Sequence, residues 1–191
     1  APDLGQTPFW TLETLAKRDF EGGYRITAVK DASGAPLPHK IVKTMMRLDL
    51  KTPLATGQSV TFSVDWSYNI NESKRIRART GFEYFPKDGN YLYEIAHWFP
   101  RFAAYNDVTG WQHKQFLGAG EFTLEFGNYK VRITAPDDHI VAATGVLQNP
   151  EQVLSKPQRD RLEQARTALN PVLIVTPEEA RANESNKPKG K

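Results

Sequence analysis

Apolar and polar positions alternate along the first three quarters of the chain. In SVTFSVDWSYNI (Ser59–Ile70), Val60, Phe62, Val64, Trp66 and Tyr68 share one face at period two. That pattern predicts a strand whose large side chains need a layer opposite them. YRITAVKD (Tyr24–Asp31) predicts a second strand, with Tyr24, Ile26 and Ala28 on one face and Arg25, Thr27 and Val29 on the other. TMMRLDL (Thr44–Leu50) predicts a third, with turns at DASGAPLP and PLATGQ on either side. Further strands are expected at Arg79–Tyr84, Tyr91–His97, Glu121–Phe126, Tyr129–Ala135 and His139–Thr144. The Gly-Asn pair of FGNY suits a tight hairpin turn, and PDDH reads as another turn. Many short strands separated by turn signals predict a mostly-β fold, an antiparallel β-sandwich.

The pattern changes after Gly145. LSKPQRDRLEQARTAL offers Ser155 as an N-cap and Leu162, Ala165 and Leu169 at helical spacing, with charged residues on the other faces. This predicts one C-terminal surface helix over Ser155–Leu169. PVLIVTPEEA (Pro171–Ala180) reads as a last strand and a turn, and RANESNKPKGK as a flexible polar tail. The expected organisation is one β-sandwich domain over residues 1–180 and a tail over 181–191, with no internal repeat.

Composition narrows the class. Of 191 residues, 39% are hydrophobic and 25% charged, which favours a folded protein over a disordered one. The apolar runs are too short for a membrane span. The net charge is +3, with the excess in the tail and at Lys74, Arg75, Arg77 and Arg79. Glu72 and Glu83 flank that patch and no nucleic-acid motif follows it, so it reads as a solvated face and no nucleic-acid partner is expected. The absence of cysteine removes thiol catalysis, disulfides and cysteine-ligated zinc. The opening APDLGQTPFW has no charged segment followed by an apolar one, as a signal peptide would.

A self-contained active site does not emerge. The four histidines, His39, His97, His113 and His139, lack the H-E-x-x-H spacing that places two imidazoles on one helical face. His139 beside Asp137 and Asp138 could hold a metal weakly, but a solvated turn accounts for it better. No G-x-S-x-G elbow occurs, and GAGEF (Gly118–Phe122) leads into strand periodicity rather than a helix, so it is not a phosphate loop. Glu121 and Glu125 share a strand face without acid–base geometry that can be read from spacing. No catalytic residue, metal ligand or cofactor is expected in this chain.

The densest signal is YLYEIAHWFPRFAAYNDVTGW (Tyr91–Trp111), which holds eight aromatic rings when the His97 imidazole is counted. HWFPRFAAYNDVTGW and the following FLGAGEFTLEFGNYKVRITAPDDHIVAATG (Phe116–Gly145) resemble the non-catalytic N-terminal β-domain of the aminopeptidase N-type zinc metallopeptidases, the gluzincin family that includes leukotriene hydrolase. The resemblance is carried by Trp98-Phe99-Pro100, by the turn at Asn106-Asp107, and by TAPDDHIVAATG, and it covers roughly Tyr24–Gly145 and again PVLIVTPEEA. The upstream TMMRLDLKTPLATGQSVTFSVDWSYNI is similar to the preceding strands in exported bacterial members.

The resemblance implies a saddle-like N-terminal peptidase domain, exported to the periplasm or cell surface, that covers the active-site cleft and helps recognise peptide N-termini. The family's zinc motif and its G-x-M-E-N segment are missing, so the chain reads as a fragment whose zinc lies in a separate catalytic domain of the parent hydrolase. Its partners would be that domain and the peptide substrate. In the family a Gln or Glu shortly before the F-P pair meets the substrate amine. Tyr91 stands at that spacing here, with Glu94 and His97 as polar alternatives. Trp98, Phe99, Pro100, Asp107 and Trp111 are the expected interdomain contacts, with Trp98, Phe99 and Phe102 partly serving as core. A different class of function is a free-standing β-sandwich module for carbohydrate or protein, stacking its ligand on Trp66, Trp98 or Trp111.

Overall fold

The computed structural model describes residues 8–16, 19–76, 78–114, 124–136 and 138–184. Strand exceeds helix, and the helices beyond α1 gather in the C-terminal part. The chain divides into two compact units, Ala1–Gly127 and Asn128–Lys191.

The first unit begins with α1 (Phe9–Ala16), on which Phe9 and Trp10 are exposed. Its main ladder pairs β1 (Arg25–Asp31) with β4 (Phe62–Ser67), antiparallel. The period-two reading of β4 holds: Phe62, Val64 and Trp66 are half-buried and Ser63, Asp65 and Ser67 exposed. The reading of β1 does not hold along its length. The register shifts between Ile26 and Ala28, so Ile26 faces Trp66 but Val29, not Ala28, faces Val64. Thr27 is the extra residue of a bulge, and its hydroxyl donates to the Asp65 carbonyl at 3.2 Å. The bulge moves Val29, 4% exposed, onto the inner face.

After β1 the chain reverses around Asp31, whose Oδ1 accepts from the Ser33 amide at 2.9 Å, the Ser33 hydroxyl at 2.6 Å and the Ala35 amide at 3.1 Å. These bonds, led by the Ser33 hydroxyl, hold its carboxyl below the usual aspartate range. Leu37 then returns to Val29 through a 2.9 Å backbone bond. Among the described residues the buried hydrophobic ones are Val29, Leu37 and Ala104.

Three hairpins complete the unit: β2 (His39–Val42) with β3 (Met45–Leu48), β5 (Gly81–Phe85) with β6 (Asn90–Glu94), and β7 (Tyr105–Asn106) with β8 (Gly110–Trp111). Among the described residues there are four sheets, each two-stranded. β2, β7 and β8 were not expected from the sequence; β7 and β8, of two residues each, carry no periodicity. Of the strand expected at Glu121–Phe126, residues 121–123 lie outside the described residues, and Leu124 makes a single bridge to Ala103.

The second unit departs from expectation. Tyr129–Ala135 and His139–Thr144 form neither strand nor helix, and Tyr129, Val131, Ile133, Ile140 and Val141 are exposed. Alternation records a face, but a strand also needs a neighbour for its amides and carbonyls. Instead of one helix there are three: α2 (Pro150–Val153), α3 (Lys156–Ala165) and α4 (Pro177–Glu184). Ser155 caps α3 as expected, its amide donating to Gln158 Oε1 at 2.9 Å. The helix stops at Ala165, short of Leu169, which is fully exposed. The strand and turn expected at Pro171–Ala180 give way to α4. Thr176 caps it: Glu179 N donates to the Thr176 hydroxyl at 3.2 Å, and Thr176 N to Glu179 Oε2 at 3.0 Å. Residues 181–184 of the expected tail belong to α4, and 185–191 lie outside the described residues.

Arg161 on α3 places one guanidinium nitrogen 2.6 and 2.7 Å from the two carboxylate oxygens of Glu179 on α4. The Arg161 bonds, then the Thr176 amide, pull the Glu179 carboxyl below its ordinary value of 4.5.

Candidate functional site

Tyr91–Trp111 passes through three local environments. In the first, Tyr91 and Tyr93 on β6 stand directly across from Tyr84 and Phe82 on β5. Their rings form a ladder with centroid distances of 4.7 Å for Tyr84–Tyr91, 6.1 Å for Phe82–Tyr93 and 6.0 Å for Tyr91–Tyr93. Cross-strand aromatic pairs of this kind stabilise a hairpin by up to about 1 kcal/mol each. The ladder remains open to solvent, with Tyr84, Tyr91 and Tyr93 all exposed. Leu92 and Glu94 lie on the reverse face, because successive side chains of a strand alternate. Tyr91 and Glu94 therefore project from opposite faces of one hairpin, and the fold does not bring them together. Glu94 is exposed, and its carbonyl accepts from the Thr80 hydroxyl at 3.0 Å.

The second environment is an aromatic cluster centred on Trp66. Tyr24 lies 5.4 Å from it, edge on, Trp98 at 5.9 Å and Tyr68 at 6.0 Å, centroid to centroid. Phe99 joins through Trp98 at 4.9 Å, and Arg101 lies over the Phe99 ring at 5.6 Å. Trp98, Phe99 and Pro100 are half-buried, so they are committed to packing within this unit. Phe102 touches Phe62 edge on at 5.7 Å but stays 63% exposed, so it is not the core residue expected. His97 enters the cluster with its backbone only. Its carbonyl accepts from the Tyr24 hydroxyl at 2.7 Å while its side chain is exposed. Burial pushes the Tyr24 and Tyr68 hydroxyls above the ordinary tyrosine value, and the neighbouring Tyr68 raises Tyr24 further.

The third environment is the β7–β8 turn. Asn106 Oδ1 accepts from the amides of Val108 at 3.1 Å and Thr109 at 2.8 Å, which fixes the loop. Asp107 and Val108 are exposed at its tip, and Trp111 packs edge on against Tyr105 at 5.2 Å, with both rings more than half exposed. The five contact residues expected from the sequence thus separate into two sets. Trp98 and Phe99 pack in the cluster and Pro100 is half-buried; Asp107 and Trp111 are exposed at the β7–β8 turn. Of the three tryptophans named as alternative stacking platforms, Trp66 and Trp98 are half-buried in the cluster and Trp111 is exposed beside Tyr105.

Among the described residues no three or more His, Cys, Asp or Glu side chains gather where they could hold a metal ion. The Nδ1 atoms of His39 and His113 lie 3.0 and 2.8 Å from the backbone carbonyls of Leu37 and Trp111. His139 Nδ1 lies 2.7 Å from Asp138 Oδ1, and Asp137 falls outside the described residues, as does the GAGEF segment. No described helix is long and apolar enough to cross a membrane. Among the described residues the arrangement offers aromatic surface and hydrogen-bonding groups for contact. Sequence reasoning placed Tyr24 and Tyr84 in expected strands but assigned neither them nor Tyr105 to the site. No protein-family model, curated protein or solved structure matches the chain.

Proposed function

We propose that this chain is the non-catalytic N-terminal β-domain of an exported zinc aminopeptidase of the aminopeptidase N type. On this reading its strands assemble as a β-sandwich against a separate catalytic domain, where they cover the cleft and help recognise peptide N-termini. One observation carries the proposal: the chain leaves its apolar surface bare. Among the described residues the buried hydrophobic side chains are Val29, Leu37 and Ala104, while many larger ones are exposed. Tyr91, Leu92, Phe102, Tyr105, Val108 and Trp111 contribute to that bare surface from within Tyr91–Trp111, which holds two of the motifs that carry the resemblance. Large apolar side chains exposed together in one segment fit a surface made to be covered.

The described residues do not fit a zinc ion. The four histidines stand apart in sequence and no group of three donors assembles, so no catalytic step is assigned to metal in this chain. Zinc would belong to the catalytic domain of the parent.

A free-standing binding module is the second reading. The open ladder of Tyr84, Tyr91 and Tyr93 favours it, because such rings can stack on a flat ligand without help from another domain. The encoding reading frame separates the two. Continuation past Lys191 into an H-E-x-x-H helix supports the peptidase domain; a stop codon there removes it.

A further inference from the structure

We infer that Tyr24 is a positioning residue: its hydroxyl clamps the backbone of His97 and so fixes where the His97 imidazole stands. The ligand assigned below rests on the peptide-recognition reading; the geometry does not.

Among the described residues two that are not glycine have positive φ, Lys43 at 55° and His97 at 53°. Lys43 lies in the two-residue turn between Val42 and Met45, where left-handed backbone helps reverse the chain. His97 lies after β6 and outside any ladder, so no hairpin turn explains its conformation. A side chain in this region is strained and persists only where its surroundings over-determine it.

Those surroundings are visible on both sides of the residue. The His97 carbonyl is held by Tyr24 Oη at 2.7 Å, a contact that spans 73 positions of sequence. The next residue, Trp98, is held by its indole against Trp66 at 5.9 Å. Tyr24 cannot swing freely, because its ring stands edge on to Trp66 at 5.4 Å and to Tyr68 at 5.8 Å. The chain is thus gripped on either side of a strained residue whose own side chain is left in solvent. Packing alone does not call for histidine there; glycine would take the same backbone without strain. An exposed imidazole held in place at a cost in stability points to a ligand. A neutral imidazole presents one acceptor and one donor nitrogen, which suits the free terminus of a peptide: the ammonium donates to the bare nitrogen.

The test uses the isotopically labelled 191-residue chain. Residue 97 should show the intense intraresidue amide–Hα cross-peak that marks positive φ. Tyr24→Phe keeps the ring and removes the hydroxyl. It should abolish that cross-peak and the shifts that tetra-alanine induces at His97, while the indole resonances of Trp66 and Trp98 stay in place. Tyr68→Phe, which removes a hydroxyl from the same cluster, should leave residue 97 unchanged. Should Tyr24→Phe not fold, His97→Gly decides: relief of strain raises the urea midpoint. Persistence of the cross-peak in folded Tyr24→Phe, or a lowered midpoint in His97→Gly, overturns the positioning role. If the cross-peak behaves as expected but tetra-alanine shifts nothing at His97 in the unaltered chain, the positioning stands and the peptide-recognition reading of this segment falls.

Discussion

Gly81 opens the β5–β6 hairpin that leads into the aromatic segment, and its replacement by alanine is expected to destabilise the N-terminal unit by about 2–4 kcal/mol. Two effects add. At φ 154° Gly81 occupies backbone that residues with a Cβ rarely adopt, a penalty of about 1–3 kcal/mol. A Cβ there would also lie 2.6 Å from Ser73 Oγ, 2.8 Å from the Asn71 carbonyl oxygen and 2.9 Å from Asn71 Nδ2. The serine hydroxyl can rotate away. Asn71 cannot, because it is 6% exposed and its Nδ2 donates to the Ile76 carbonyl at 2.9 Å. Retreat of the Asn71 backbone would break the 2.8 Å bond from Phe82 N and strain the 2.9 Å bond from Ser73 N to the Phe82 carbonyl. Each is worth about 0.5–1.5 kcal/mol. Urea unfolding followed by tryptophan fluorescence measures the loss, and amide exchange at Phe82 and Ser73 locates it. A change within about 0.5 kcal/mol, with protection at Phe82 intact, would refute the close approach of these backbones.

Acid should loosen the α3–α4 pair through Glu179. Its folded pKa is depressed, so its stabilisation is complete above the ordinary value of 4.5 and is lost as pH falls through the lower folded value. Helical circular dichroism should show that loss in the unaltered chain and a flatter acid limb in Glu179→Gln; identical limbs refute it. Trp66→Ala should cost about 2–4 kcal/mol, at the low end for a large aromatic because Trp66 is half-buried, yet it abandons Tyr24, Tyr68 and Trp98 together. Trp111→Ala, which loses a single exposed partner, should cost less than Trp66→Ala in the same unfolding assay. Zinc added to the metal-stripped chain should leave no stoichiometric ion after gel filtration; one tightly held zinc per chain contradicts the donor count.

Local pattern made the strands of the first unit legible wherever alternation coincided with pairing, as in β4, β5 and β6. It misplaced Val29 because a bulge changes register without changing composition, and Thr27 looks like any strand residue. It read Val172–Val175 as the start of a strand because β-branched runs favour strands, while the stronger signal was Thr176-Pro177-Glu178-Glu179, a capping box with proline at the first helical position. Tyr129–Ala135 shows the opposite failure: its alternation is clear, but no described strand pairs with it. Within the candidate site, the separation of Tyr91 from Glu94 was legible from the strand's period of two. The clamp on His97 was not, since its partner Tyr24 lies 73 residues away and nothing in either sequence neighbourhood reports the other.

Amino-acid release tests the peptidase-domain proposal most directly. Aminoacyl reporter substrates are incubated with the 191-residue chain and with a longer protein that carries it. The expectation is no turnover by the chain alone and turnover by the longer protein, in which His97→Ala or Glu94→Ala lowers kcat/KM more than Glu72→Ala does. Turnover by the metal-free chain alone would contradict the proposal.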